Sequence, residues 1–145
     1  VRGHSMLPLL QEGDLVVLVK ASPDEIKPGD IIIYRTSCSA TGYIVHRVIA
    51  VNIIGDNYYY RTAGDNNLVT ISVSKNQVNL KDPTIVKILA EKNNSLLILK
   101  LVEDIPCYDS PYGISYSRVV GKVLEIHGIP LKIPYLGYIS IALGK

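Results

Sequence analysis

Tyr43-Ile44-Val45-His46-Arg47-Val48-Ile49-Ala50-Val51, with the turn Gly55-Asp56-Asn57 and the return run Tyr58-Tyr59-Tyr60-Arg61-Thr62, decides the fold. The first run is rich in branched side chains and lacks the spacing of a helical stripe, so it reads as a strand. Side chains alternate across a strand. Ile44, His46 and Val48 therefore share one face, and Val45, Arg47 and Ile49 the other. A Gly-Asp-Asn turn between two such runs predicts a β-hairpin.

Working outward, the same grammar repeats. Leu15 to Val19 and Ile31 to Arg35 read as strands, separated by the loop Ser22–Asp30 with two prolines and a Pro-Gly pair. Thr36 to Gly42 is a short polar loop carrying Cys38. Gly64-Asp65-Asn66-Asn67 reads as a turn closing the second arm of the hairpin. Leu68 to Tyr108 predicts an inserted β subdomain: Val69, Ile71 and Val73 alternate, and Ile85–Ala90 and Leu96–Val102 form a hairpin across Glu91–Ser95. Asp109-Ser110-Pro111-Tyr112-Gly113 is a turn, Arg118 to Ile126 a further strand. No segment carries a capped helical stripe. The expected fold is mainly β, a coiled antiparallel sheet formed by residues 1–67 and 109–145, with 68–108 inserted.

Composition narrows the function. A chain of 145 residues is one domain of ordinary size. All ten aromatic residues are tyrosines, which suit half-buried strands with a polar tip. The net charge is +2 without a dense basic block, so nucleic-acid binding is not expected. No apolar run reaches eighteen residues, and no signal-peptide pattern is visible. The chain begins four residues before Ser5 and stops within the apolar run Ser140–Lys145, so both ends read as cut from a longer protein. The apolar stretch Ile129–Leu143 reads as core, with contact to lipid as the alternative. Cys38 and Cys107 lack the companions of a metal site. They read either as two buried thiols or as one disulfide, the latter fitting an oxidising compartment. Asn93-Asn94-Ser95 is a glycosylation sequon.

The chemistry starts at Gly3-His4-Ser5-Met6-Leu7-Pro8. A serine hydroxyl needs a neighbouring base to become a nucleophile, and an imidazole titrates in the right range. A carboxylate behind the imidazole sets its tautomer. His4 adjoins Ser5 and points away from it on an extended chain, while His127 sits at an exposed Gly-Pro turn. His46 stands mid-strand between apolar neighbours, where a satisfied strand histidine is the plain reading and a base for Ser5 the alternative. Among the carboxylates, Asp14, Asp30, Asp56 and Asp65 all follow glycines in turns and need no function there; Asp65 differs in its polar Gly-Asp-Asn-Asn setting.

Three separated stretches resemble the type I signal peptidase family in the same order. Gly3–Pro8 with Gly13-Asp14 is similar to its nucleophile box. Gly29-Asp30-Ile31-Ile32-Ile33-Tyr34-Arg35 with Ile44-Val45-His46-Arg47-Val48 is similar to the general-base box. Thr62-Ala63-Gly64-Asp65-Asn66-Asn67, with Val119–Val123 and Ile133–Tyr138, is similar to the acid box and closing strands. A histidine at the base position resembles the archaeal and endoplasmic-reticulum branch rather than the bacterial lysine branch. The resemblance implies Ser5 as nucleophile, with its own backbone N–H in the oxyanion hole, His46 as general base and Asp65 as acid. The branch also has a second aspartate after its acid motif, and none follows at Leu68–Ile71. The insertion makes Asp109 the candidate, with Asp82 and Asp104 as alternatives.

The implied activity is removal of signal peptides from exported preproteins after small residues. No metal or cofactor is needed. The implied setting is a membrane anchor, a catalytic domain on the extracytoplasmic or lumenal face, and a bilayer surface close by. Two other readings stay open: a self-cleaving repressor-type peptidase with a Ser-Met box, which would call for a lysine base, and a non-catalytic β-rich binding module.

Overall fold

In a computed structural model, residues 15–126, 129–130 and 132–133 are described. The elements are β1 (Leu15–Val16), β2 (Leu18–Val19), β3 (Ile31–Arg35), β4 (Tyr43–Ile54), β5 (Asn57–Ser74), β6 (Ile85–Lys92), β7 (Ser95–Glu103), β8 (Ile114–Ser115), β9 (Val119–Val123), β10 (Glu125–Ile126), β11 (Ile129–Pro130) and β12 (Lys132–Ile133). Among the described residues the helical elements are single turns of 3-10 type. The domain is thus mainly β, and its described strand pairs are antiparallel.

One eight-stranded sheet runs in the order β2-β9-β3-β4-β5-β7-β6, with β8 against the first half of β5. The β4–β5 hairpin turns at Gly55-Asp56, where Ile54 pairs with Asn57 and Gly55 takes φ 63°, a conformation that a side chain resists. In β3–β4, Ile32 lies opposite His46 and Tyr34 opposite Ile44, so all four occupy one face. That face joins Ile26, Val48, Tyr60 and Ile114 in the main core. The opposite face carries a smaller cluster of Ile31 and Val123 with Val16 and Val45.

Three details differ from the sequence reading. The expected strand Leu15–Val19 is interrupted at Val17, and the strand expected to end at Ile126 is interrupted at Leu124. The two breaks face each other, Leu124 donating its N–H to the Val17 carbonyl at 2.8 Å. Here the chains leave the large sheet and change partners, β1 pairing with β12 and β10 with β11. The third difference is at Gly64–Asn67, expected as a turn. It lies within β5, where the register against β7 shifts between Ala63 and Leu68. Pairing on both sides holds this polar stretch as an irregularity inside a strand, a case of tertiary context overriding turn composition.

The 68–108 segment supplies the outer half of β5 and the β6–β7 hairpin. The hairpin turns at Asn93-Asn94, with Asn93 at φ 52°. The boundary at residue 67 therefore falls inside one strand, and the outer hairpin continues the same sheet.

Candidate functional site: a buried His46–Asp104 pair

His46 is 5% exposed, held mid-strand on the core face of β4. Its Nδ1 lies 3.1 Å from Asp104 Oδ2. The Asp104 side chain is itself mostly buried, at 14% exposure. An ionised carboxylate can only accept, so the proton between them belongs to Nδ1, and Nε2 is left as the ring's basic nitrogen. This is the tautomer that a general base needs.

Asp104 reaches His46 because of how β7 ends. β7 pairs with β5 up to Glu103 opposite Ala63. Asp104 then donates its N–H to the Thr62 carbonyl at 2.9 Å, and a single turn follows at Ile105–Cys107, closed by the Cys107 N–H on the Asp104 carbonyl at 3.0 Å. Pro106 suits the first turn of such an element. Tyr108 ties the turn back to the sheet: its hydroxyl accepts the Thr62 N–H at 2.8 Å and lies 3.0 Å from Glu103 Oε1. Burial pushes the Tyr108 phenol well above its ordinary range, so it stays neutral. Glu103 is also ion-paired with Arg61, whose guanidinium sits 5.4 Å from the centre of the Tyr108 ring.

Cys38 and Cys107 form a disulfide, with Cα atoms 5.6 Å apart. It pins the Thr36–Gly42 loop, which leads into β4, to the turn that presents Asp104. Of the two readings of the cysteines, the disulfide is the one found.

The candidate acids separate. Asp65 turns both oxygens to Arg47, accepting from Nε at 2.9 Å and from a terminal nitrogen at 2.8 Å. The same guanidinium donates to the Gly29 carbonyl at 2.7 Å, so Arg47 clamps β4 to the loop before β3 and to the irregular part of β5. Its own pKa is raised, chiefly by the hydrogen bonds to Asp65. Arg47 and His46 are consecutive on a strand and occupy opposite faces.

Asp109 takes a turn role. It accepts the Ser115 N–H at 2.9 Å, bonds the Ser115 hydroxyl and lies 3.5 Å from Arg118 Nε. The carboxylate bonded to His46 Nδ1 is Asp104, not Asp109, because the Ile105–Cys107 turn separates the two and Asp109 closes the loop back to β8. Asp82, the other alternative, accepts from Thr84 and pairs with Lys100 at 3.5 Å.

Ser5 and His4 lie outside the described residues, as does His127. Sequence reasoning ranked Asp104 below Asp109 and missed its neighbour Tyr34. A signal was available: Asp104-Ile105-Pro106-Cys107, once Cys107 is paired with Cys38, brings residue 104 to the β3–β4 connection.

No family model matches the chain, and no solved structure matches it. An uncharacterized protein of Methanocaldococcus jannaschii is 25% identical over 165 residues, which cover 97% of this chain and 80% of that protein. The likeness thus spans nearly the whole of this chain.

Proposed function

We propose that the protein is a serine endopeptidase of the signal peptidase I type, removing N-terminal signal peptides from exported preproteins. The observation that carries this reading is the buried His46–Asp104 pair, 3.1 Å apart, in a chain with a Ser5-Met6-Leu7-Pro8 box. Asp104 holds the Nδ1–H tautomer, so Nε2 takes the Ser5 proton as the hydroxyl attacks the scissile carbonyl. The Ser5 backbone N–H stabilises the oxyanion, a donor whose loss in such sites costs about 100- to 1000-fold in rate. His46 then protonates the leaving amine, and a water repeats the cycle on the acyl-enzyme.

The substrate enters extended, with small residues at the first and third positions before the cut, by adding to a sheet edge. Asp65, carried over as an acid by the family resemblance, acts in this reading through Arg47: it braces β4 and thereby the position of His46. The disulfide supports an oxidising, extracytoplasmic or lumenal setting for the domain. A nearby bilayer surface belongs to the same reading.

The test is processing of a preprotein by the protein and by its Ser5→Ala, His46→Ala and Asp104→Asn variants. Loss of cleavage in all three is expected. Undiminished processing by Ser5→Ala or His46→Ala would overturn the mechanism.

A further inference from the structure

The carboxylate behind His46 has a second donor. Tyr34, on β3, is completely buried, and its hydroxyl bonds Asp104 Oδ2, the same oxygen that meets His46 Nδ1. Thr62 on β5 is also completely buried, with its Oγ1 3.2 Å from the Tyr34 hydroxyl. A phenol has one proton to give, and an ionised carboxylate can only accept, so that proton goes to Asp104. Thr62 is then the donor to Tyr34. The order runs from the Thr62 hydroxyl to the Tyr34 oxygen and from the Tyr34 hydroxyl to Asp104, with the His46 N–H meeting the same carboxylate oxygen.

We propose that Tyr34 is a positioning residue for the His46–Asp104 pair, fixing the Asp104 carboxylate and moderating its pull on the imidazole. The proposal rests on the peptidase reading for its kinetic consequence, and on geometry alone for the linkage. The geometry is specific. Tyr34 and His46 are diagonal neighbours on one face of the β3–β4 ladder, their rings 6.5 Å apart and inclined by 72°. A phenylalanine there would fill the same space; only the hydroxyl reaches the acid.

Two donors on one oxygen divide its negative charge. With Tyr34 in place, Asp104 orients His46 while stabilising the imidazolium less than a free carboxylate would. Burial and the neighbouring Asp104 both push the Tyr34 phenol far up from its ordinary range, so it remains a neutral donor. Among the described residues, Tyr34 from β3 bonds the Asp104 carboxylate, Thr62 from β5 bonds Tyr34, and the Tyr108 hydroxyl beyond the single turn bonds the Thr62 backbone. On β4 itself, Ile44 and Val48 flank His46 on the same face, and Arg47 points to the other.

The experiment uses Tyr34→Phe in the full chain, with two readouts. One is the NMR titration of the His46 imidazole; the other is the pH profile of cleavage of a peptide with small residues at the first and third positions before the cut. Without the phenol proton, Asp104 holds the imidazolium more tightly. The His46 titration and the acid limb of the profile should both move to higher pH, by on the order of 0.5–1 unit. kcat should fall about tenfold with KM little changed, as for loss of a hydrogen bond to a charged group. Thr62→Val should give a smaller shift in the same direction.

A folded Tyr34→Phe protein with an unmoved His46 titration would overturn the proposal, reducing Tyr34 to core filling. If the parent protein cleaves no peptide, the peptidase reading fails. The imidazole titration still decides the linkage: a shift supports it, and no shift removes it.

Discussion

Reducing the Cys38–Cys107 bond is the perturbation whose cost follows most directly from this architecture. The two cysteines are 69 residues apart in sequence, and β4 through β7 lie between them. In the loop-closure treatment, a crosslink across about 70 residues removes roughly 4 kcal/mol of conformational freedom from the unfolded chain at 25 °C. For a chain of this length each kcal/mol is worth about 3 °C in Tm, so a drop of roughly 10–15 °C is expected.

The native geometry should suffer less than the stability. The turn at Ile105–Cys107 keeps its own hydrogen bonds, and Tyr108 holds it to Thr62 through the Thr62 N–H at 2.8 Å. Reduced protein well below its Tm should therefore retain the His46–Asp104 contact and most of its activity. The assay is a thermal melt followed by circular dichroism, with and without a thiol reductant, alongside a free-thiol count and a Cys38→Ser, Cys107→Ser double variant. Suppose the oxidised protein shows no free thiols, yet full reduction moves Tm by less than about 2 °C. The loop-closure reasoning is then refuted for this domain.

Asp104→Asn should lower kcat by about 1000- to 10,000-fold, since an amide no longer enforces the Nδ1–H tautomer, whereas Asp109→Asn should leave kcat nearly intact and cost only turn stability; steady-state cleavage of both variants checks the assignment. Asp65→Asn breaks a bidentate, partly buried pair with Arg47, whose side chains are 26% and 18% exposed for Arg47 and Asp65 respectively. It should destabilise by about 2 kcal/mol in a urea titration, with any loss of activity following from the shift of β4. Among the described residues, the buried Glu125 Oε1 has no hydrogen-bond partner, and its carboxyl is pushed up by desolvation despite the nearby Arg47. A raised carboxyl pKa means the folded state disfavours the anion, so its contribution to stability is lost as pH rises through the folded value. Glu125→Gln should accordingly raise Tm by a few degrees at pH 7 and by less near pH 4, where the native carboxyl is neutral; melts at the two pH values test the sign.

Much of this protein was decided locally. Alternation across Tyr43–Val51 puts His46 and Arg47 on opposite faces, because a strand has a period of two. The runs Ile31–Arg35 and Leu96–Val102 are dense in branched or aliphatic side chains, and short turns at Gly55-Asp56 and Asn93-Asn94 leave the flanking strands little choice but to pair. What the residue order could not carry is which distant groups meet. Gly64–Asn67 has the composition of a turn, yet pairing of β5 with strands on both sides draws it into an extended, irregular course that meets Arg47. Asp104 and Asp109 are five residues apart and chemically identical. Only the register of β7 against β5, the single turn after it and the crosslink to Cys38 bring the first to His46 and leave the second closing a surface loop. Tyr34 looked like one more strand tyrosine, because a phenol's partner across a sheet is set by the stacking of three strands and a turn, contacts from far along the chain that sequence spacing does not encode.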